Sequence, residues 1–335
     1  MHSIYLIMTE SCQMKCPFCY TKFATGFEND NSILDPDIAI KVIKKGFTLD
    51  NKHFEPFDCV IFHGGEPLLY TDNITKIADE IKEFNPKIGF GMQTNLAYKE
   101  LSKEQIELIL KLGTYGTSYS YDRFANQESI ERMVINNIKY LESLGIYGTL
   151  LVTITEEQIV RQSPSQLASY INEYYTGIKY VKLERPIFPI KDILNDTKKY
   201  KRIYEKIDDY LYKCLFEFSR EKSDLYDNIL YSIQNNTTFY PTKCSKNDIT
   251  LYKNQIKYGC PSREIDDNYK DIDKIHSQCL QCEFFKWCGG DCECMNGVCT
   301  FPKKTFKTVF SLNEMEKNKD QFKNLKDNFI KYNYI

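Results

Sequence analysis

Over its first 190 or so residues the chain alternates short apolar runs with amphipathic, well-punctuated stretches, and this alternation narrows the possible folds most. Strand candidates begin near Ser3, Phe57, Lys87, Thr114, Gly148 and Ile178. Between them the helix signals are explicit. Asp35-Pro36 offers an N-cap and a proline at the first helical position, ahead of Ile38, Ala39, Val42 and Ile43 on one face. Ser102 and Gln105 form a capping box before Ile106, Ile109 and Leu110, and Gly113 closes that helix. Ile130, Val134, Ile138 and Leu141 make a stripe that stops at Gly145, and Ser163-Pro164 opens a further helix before Leu167 and Ile171. Strands that alternate with helices form a parallel sheet, because each parallel crossover needs a helix. Chemistry on such a sheet sits at the C-terminal ends of its strands.

From about Lys198 to Asn236 the chain turns polar and helical, and after that it becomes rich in Cys, Gly and short strands. These shifts divide it into an α/β domain over 1–197, a helical connector over 198–240 and a cysteine-rich domain over 241–335. A length of 335 residues suits such a division. The net charge of −2 provides no basic field for nucleic acid. No apolar run approaches the roughly 18 residues of a membrane helix. The N-terminus enters a strand without a basic segment or cleavage site, so the expected location is the cytoplasm, with neither membrane nor nucleic acid as partner.

In a reducing cytosol, thirteen cysteines read as metal or cluster ligands rather than disulfides. Three lie in one loop directly after the first strand, as Cys12-Gln-Met-Lys-Cys16-Pro-Phe-Cys19, and eight lie between Cys244 and Cys299. Cys59, in an apolar strand, and Cys214, in a helical stretch, read as packing residues. Three thiolates at C-x₃-C-x₂-C spacing can hold three corners of a 4Fe–4S cubane, leaving the fourth iron open to a small chelating molecule. The competing reading is a zinc site, but structural zinc usually takes two C-x₂-C pairs, and no second pair or histidine lies near this loop.

This loop resembles the signature of the radical SAM enzymes. The resemblance implies a partial (β/α)₆ TIM-like barrel whose open iron binds S-adenosylmethionine (SAM) and cleaves it to a 5′-deoxyadenosyl radical, with Cys12, Cys16 and Cys19 as cluster ligands. Further motifs follow at strand ends. His63-Gly64-Gly65-Glu66-Pro67 is similar to the family's GGE motif, so Gly64, Gly65 and Glu66 are expected to bind the methionine amino group. Met92-Gln93-Thr94-Asn95 is similar to its TNG segment, with Leu96 in place of glycine. Ser118-Tyr119-Ser120-Tyr121-Asp122 is similar to its SxDG segment, with Arg123 in place of glycine. The resemblance places Asn95, Ser120 and Asp122 by the cofactor and Phe18 against its adenine, and Asp122 is also a candidate general base.

The C-terminal run Cys279-x₂-Cys282-x₅-Cys288-x₃-Cys292 resembles the core of the SPASM domain. Upstream, Cys244 and Cys260 flank a β-hairpin that turns at Lys253-Asn254. The resemblance implies two auxiliary 4Fe–4S clusters. The outer one uses Cys279, Cys282, Cys288 and Cys299, with Cys294 as the alternative. The inner one uses Cys244, Cys260 and Cys292. Two ribbon-type zinc sites are the other reading of these cysteines.

The expected activity is hydrogen abstraction from a peptide or protein substrate that leads to a thioether or carbon–carbon crosslink in a ribosomally made peptide. The resemblance implies a low-potential electron donor of flavodoxin or ferredoxin type, and a separate leader-peptide-binding protein is a further candidate partner. The rival readings are a sulfatase-maturating (formylglycine-generating) enzyme, a small-molecule radical dehydrogenase, and a zinc-binding cysteine-rich scaffold without catalysis.

Overall fold

The computed structural model describes residues 3–17, 19, 33–48, 58–125, 127–186, 188, 190–218, 249–258, 304 and 307. They fall into two compact units. One is drawn from Met1–Ser118, Arg123–Thr149 and Cys244–Asn268, the other from Tyr119–Asp122, Leu150–Lys243 and Tyr269–Ile335.

The first unit is built on β1 (Ser3–Ile7), β2 (Cys59–His63) and β3 (Gly89–Met92), a parallel array with order β3-β2-β1. α1 (Pro36–Thr48) crosses from β1 to β2, and α2 (Thr71–Phe84) crosses from β2 to β3. β1 is buried on both faces, with Ile4 and Leu6 fully enclosed, as expected of a strand covered by helices on one side and core on the other. α1 and α2 pack together and are tied at the surface by Lys44 and Glu80, 2.8 Å apart. Register decides where the chemistry gathers. Ile7 lies opposite His63 and Phe62 opposite Met92, so the segments after all three strands leave the sheet at one level.

α3 (Lys103–Leu112) carries the anticipated capping box and ends at Gly113, whose φ of 76° is the left-handed conformation of a helix C-cap. β4 (Tyr115–Tyr119) joins the array through a parallel bridge between Gln93 and Gly116. α5 (Glu128–Ser143) buries Val134, Ile138 and Leu141, the stripe seen in the sequence. β4, β5 (Gly148–Thr153) and β6 (Ile178–Glu184) hydrogen-bond in that order. The six expected strands are therefore all present. Three of them start one or two residues late, β2 at Cys59, β3 at Gly89 and β4 at Tyr115.

In the second unit, α9 (Thr197–Phe218), which follows the short α8 (Ile190–Asn195), packs on α6 (Glu156–Arg161) and on α7 (Pro164–Tyr174). α9 begins where the polar helical connector was expected, and it buries Ile203, Ile207, Tyr210, Leu211 and Cys214. Among the described residues no helix is long and apolar enough to cross a membrane.

Of the cysteine-rich segment, the described residues are the expected hairpin, β7 (Ile249–Tyr252) and β8 (Gln255–Tyr258), and residues 304 and 307. Lys253 and Asn254, at φ 46° and 59°, form the two-residue turn in the doubly left-handed geometry that suits hairpin twist. The hairpin does not stand apart from the first unit: β7 pairs parallel with β1, from Ile4–Ile249 to Leu6–Leu251, and extends the sheet to β3-β2-β1-β7-β8. Cys244, Cys260, Cys279, Cys282, Cys288, Cys292, Cys294 and Cys299 lie outside the described residues, as does Phe18.

Candidate active site

In the first unit, three strand-end segments meet above β1, β2 and β3. The segment after β1 carries Cys12, Cys16 and Cys19, all without disulfide partners. It starts with Met8 N–H donating to His63 O (2.8 Å), and the turn after β2 then reaches back to hold it. Gly65 N–H donates to Thr9 O (2.7 Å) and Glu66 N–H to Ser11 O (2.8 Å). The fit between the two segments explains both glycines. A Cβ at Gly64 would stand 2.6 Å from Thr9 O, and one at Gly65 would stand 2.2 Å from Ser11 O and 2.6 Å from Glu10 O. Gly64 also sits at φ 133°, a conformation open to glycine. In this structure the pair of glycines makes room for the backbone of the cysteine loop itself.

Glu66 is fully buried. Its Oε1 accepts from Leu68 N–H (3.0 Å) and Thr94 Oγ1–H (2.7 Å), and its Oε2 accepts from Asn95 N–H (2.7 Å). The carboxylate thus clasps the start of the segment after β3, leaving about one of its four acceptor positions for anything else. Burial pushes the Glu66 carboxyl above its ordinary range, opposed by these hydrogen bonds and by the nearby Arg123 guanidinium.

Asn95 links that segment to the cysteines. Its Nδ2 donates to Cys12 Sγ (3.4 Å), while its Oδ1 accepts from Gln13 Nε2 (3.1 Å) and Ala97 N–H (2.8 Å). Leu96, where the resembled motif has glycine, takes a left-handed φ of 52° with its side chain fully buried. Asn137 on α5 secures this conformation, donating from Nδ2 to Leu96 O (3.0 Å) and Tyr98 O (2.8 Å). Arg123, the other replacement of a glycine, is 1% exposed. It donates to Asn95 O (2.8 Å), Ser118 Oγ (2.6 Å) and Ser118 O, binding the end of β4 to the Asn95 segment.

Burial pushes the Cys12 thiol up to about 11, so its thiolate depends on a cation being bound. Met14 N–H donates to Cys12 Sγ (3.4 Å), and Cys19 N–H closes a turn on Cys16 O (3.2 Å). Among the described residues no three Cys, His, Asp or Glu side chains converge as a ready metal site. The loop supplies three thiols on one segment without gathering them at one point. This donor set fits an iron–sulfur cluster with one open iron, since ligand binding and ordering are coupled in such loops.

His63 was absent from the sequence-derived site, although it immediately precedes the two glycines. It is buried. Gly64 N–H donates to Nδ1 (2.7 Å), so Nε2 carries the hydrogen and donates to Gln93 Oε1 (2.7 Å). Burial holds the ring neutral and lowers its pKa to about 4.

The second unit holds the remaining expected residues. Ser120 is fully buried. Asp122 Oδ1 accepts from Thr155 Oγ1 (2.9 Å), and burial raises its carboxyl pKa. Thr155 also caps α6, and Gln158 on that helix accepts from Tyr121 N–H (2.8 Å). Tyr121 walls an open cleft of about 550 Å³ with Arg161, Tyr170, Glu173 and Tyr174.

The sequence pattern of the radical SAM superfamily matches residues 6–160, from β1 to α6. The match takes in 155 of the 335 residues, just under half of the chain. A radical SAM cyclopropyl synthase, TigE, of Paramaledivibacter caminithermalis is 28% identical over 161 residues, covering 42% of this chain and 32% of that protein. An uncharacterized protein of Archaeoglobus fulgidus is 29% identical over 118 residues, 32% of this chain and 23% of that protein. The chain therefore spans about a third or less of the curated relatives it matches. Two solved structures share the fold: native anSMEcpe with bound AdoMet, at TM-score 0.67 and 16% identity over 92% of this chain and 97% of that one, and its hexahistidine-tagged form, at TM-score 0.66 and 14% identity over 98% of each. The matched residues include Cys12, Cys16 and Cys19 of the loop after β1.

Proposed function

We propose that this chain is a radical SAM enzyme that abstracts hydrogen from a peptide substrate and forms a crosslink in it. The observation that carries the reading is the three-thiol loop, cradled by Gly64 and Gly65 and tied through Asn95 to the segments after β2 and β3. When bound, the cluster and SAM together supply a 5′-deoxyadenosyl radical. The chain's own part is positional. Cys12, Cys16 and Cys19 hold the cluster, and Asn95 orients the Cys12 sulfur. Glu66 and Arg123 fix the segment that carries Asn95. Asp122, whose carboxyl burial pushes above its ordinary range, is proposed as the general base.

The cyclopropyl synthase among the relatives favours carbon–carbon bond formation over a thioether. The cysteines from Cys244 to Cys299 are proposed to hold two auxiliary clusters that accept the electron left when the new bond closes. A ferredoxin or flavodoxin is proposed to reduce the first cluster, and a leader-binding protein to deliver the peptide.

The test is anaerobic reconstitution with iron and sulfide, followed by reductant and SAM. About twelve irons per chain, for three cubanes, and release of 5′-deoxyadenosine are expected. Cys16→Ala abolishes that release while retaining the auxiliary iron. Peptide chemistry is read by deuterium passing from a labelled peptide into 5′-deoxyadenosine. Full activity of Cys16→Ala refutes the cluster assignment, and deoxyadenosine that stays unlabelled across peptide substrates refutes the substrate class.

A further inference from the structure

The segment that carries the three cysteines is gripped from two sides. On one side is the Gly64–Glu66 turn, whose Gly65 leaves no room for a Cβ beside Glu10 O and Ser11 O. On the other is the tip of the β7–β8 hairpin. Glu10, two residues before Cys12, has a side chain only 2% exposed. Its Oε1 lies 3.3 Å from Lys253 Nζ and accepts a hydrogen bond from the Tyr252 hydroxyl. Its Oε2 is buried without a hydrogen-bond partner. The next turn residue, Asn254, accepts through Oδ1 from Asp35 N–H (3.0 Å), at the N-cap of α1. Tyr252, Lys253 and Asn254 thus fasten the hairpin tip to the first unit at two points, one of them the base of the cysteine loop.

An unsatisfied carboxylate oxygen in a buried place is costly, and packing alone does not call for one. Beside a cluster loop it has an electrostatic consequence. A fixed negative charge with little water around it opposes the arrival of an electron nearby, and a lysine contacting it counteracts the effect.

We infer that Glu10 and Lys253 are a positioning and charge-setting pair for the cluster held by Cys12, Cys16 and Cys19, with Glu10 lowering its reduction potential and Lys253 raising it. The inference rests on the assignment of those three cysteines to the cluster. It makes the hairpin tip, brought from far along the chain, part of the surroundings that set how readily the cluster is reduced.

The test is a reductive titration of the reconstituted full chain at pH 8, following by electron paramagnetic resonance the part of the reduced-cluster signal that changes on adding SAM. Parent, Glu10→Gln and Lys253→Met are compared at equal iron content. Glu10→Gln is expected to shift the midpoint upward and Lys253→Met to shift it downward. Lys253 is about a third exposed, so its variant carries the test even where Glu10→Gln does not assemble. A Lys253→Met midpoint equal to the parent's overturns the inference, as does movement of both variants in the same direction. A parent with no SAM-sensitive cluster signal overturns the underlying cysteine assignment instead.

Discussion

Gly65→Ala distinguishes between two reasons for the glycine pair. If the glycines exist to let a ligand come close, the protein without ligand tolerates the change and loses affinity for SAM only. The structure instead places the backbone of Glu10 and Ser11 in the space a Cβ would take, with Ser11 O at 2.2 Å and Glu10 O at 2.6 Å. Backbone cannot rotate away as a side-chain tip can, so the cysteine loop must lift. Overpacking of this kind costs roughly 1–3 kcal/mol. Lifting the loop also stretches the hydrogen bonds from Gly65 N–H to Thr9 O and from Glu66 N–H to Ser11 O. At about 1 kcal/mol for each bond, the total is on the order of 3–5 kcal/mol. Urea unfolding followed by far-ultraviolet circular dichroism, on protein without iron or SAM, reads this directly. The midpoint is expected to fall by roughly 1–2 M at an m-value of about 3 kcal/mol/M. Gly113→Ala is the control: its Cβ would meet nothing within 4 Å, and its positive φ costs only about 1 kcal/mol. A ligand-free Gly65→Ala protein that unfolds with the parent, or with the control, refutes the argument.

Three further outcomes are expected. His63 is neutral in the fold with a pKa of about 4 against an ordinary 6.5, so the unfolded chain binds the extra proton first. Its contribution is intact above pH 6.5 and is lost as pH falls towards 4, up to about 3 kcal/mol; unfolding midpoints of parent and His63→Gln between pH 7 and 4 check this, the variant losing less on acidification. Arg123→Met leaves Asn95 O and Ser118 without their donor and Glu66 without its nearby cation, at a cost of about 3–5 kcal/mol; Arg123→Lys, lacking the planar fork, recovers only part of the melting temperature. Leu96→Gly is at least as stable as Leu96→Ala in thermal melts despite removing one more carbon, because relief of the left-handed strain is worth about 1–2 kcal/mol and the extra methyl about 0.8 kcal/mol.

The elements that sequence made legible are those coded locally. Asp35-Pro36, the Ser102–Gln105 capping box, Ser163-Pro164 and the glycines at 113 and 145 all act where the spacing placed them. So does the hairpin turn, because Asn254 tolerates the backbone it must adopt. The three thiols of the first loop were equally plain. The surroundings of that loop were not, because they depend on pairings between distant residues: His63 with Gln93, Asn137 with Leu96, Arg123 with Asn95, Lys253 with Glu10. Arg123 and Leu96 appeared in the sequence only as departures from glycine. Their purpose depends on the buried carboxylate of Glu66 and on the side chain of Asn137. His63 could have been noticed from its place against Gly64-Gly65, since a strand-final histidine before a glycine pair is well placed to accept the next backbone N–H.

The pairing of β7 with β1 has a consequence for the order of events during synthesis. β1 leaves the ribosome well before the hairpin, and its second edge finds Ile249, Thr250 and Leu251 only after the intervening residues, more than two hundred, have been made. At ordinary elongation rates this delay is on the order of tens of seconds, during which an apolar strand edge next to three reactive thiols is uncovered. The nascent protein is therefore most exposed to mispairing and oxidation before its hairpin arrives. Fragments ending ahead of residue 249 are expected to be poor vehicles for studying the isolated domain.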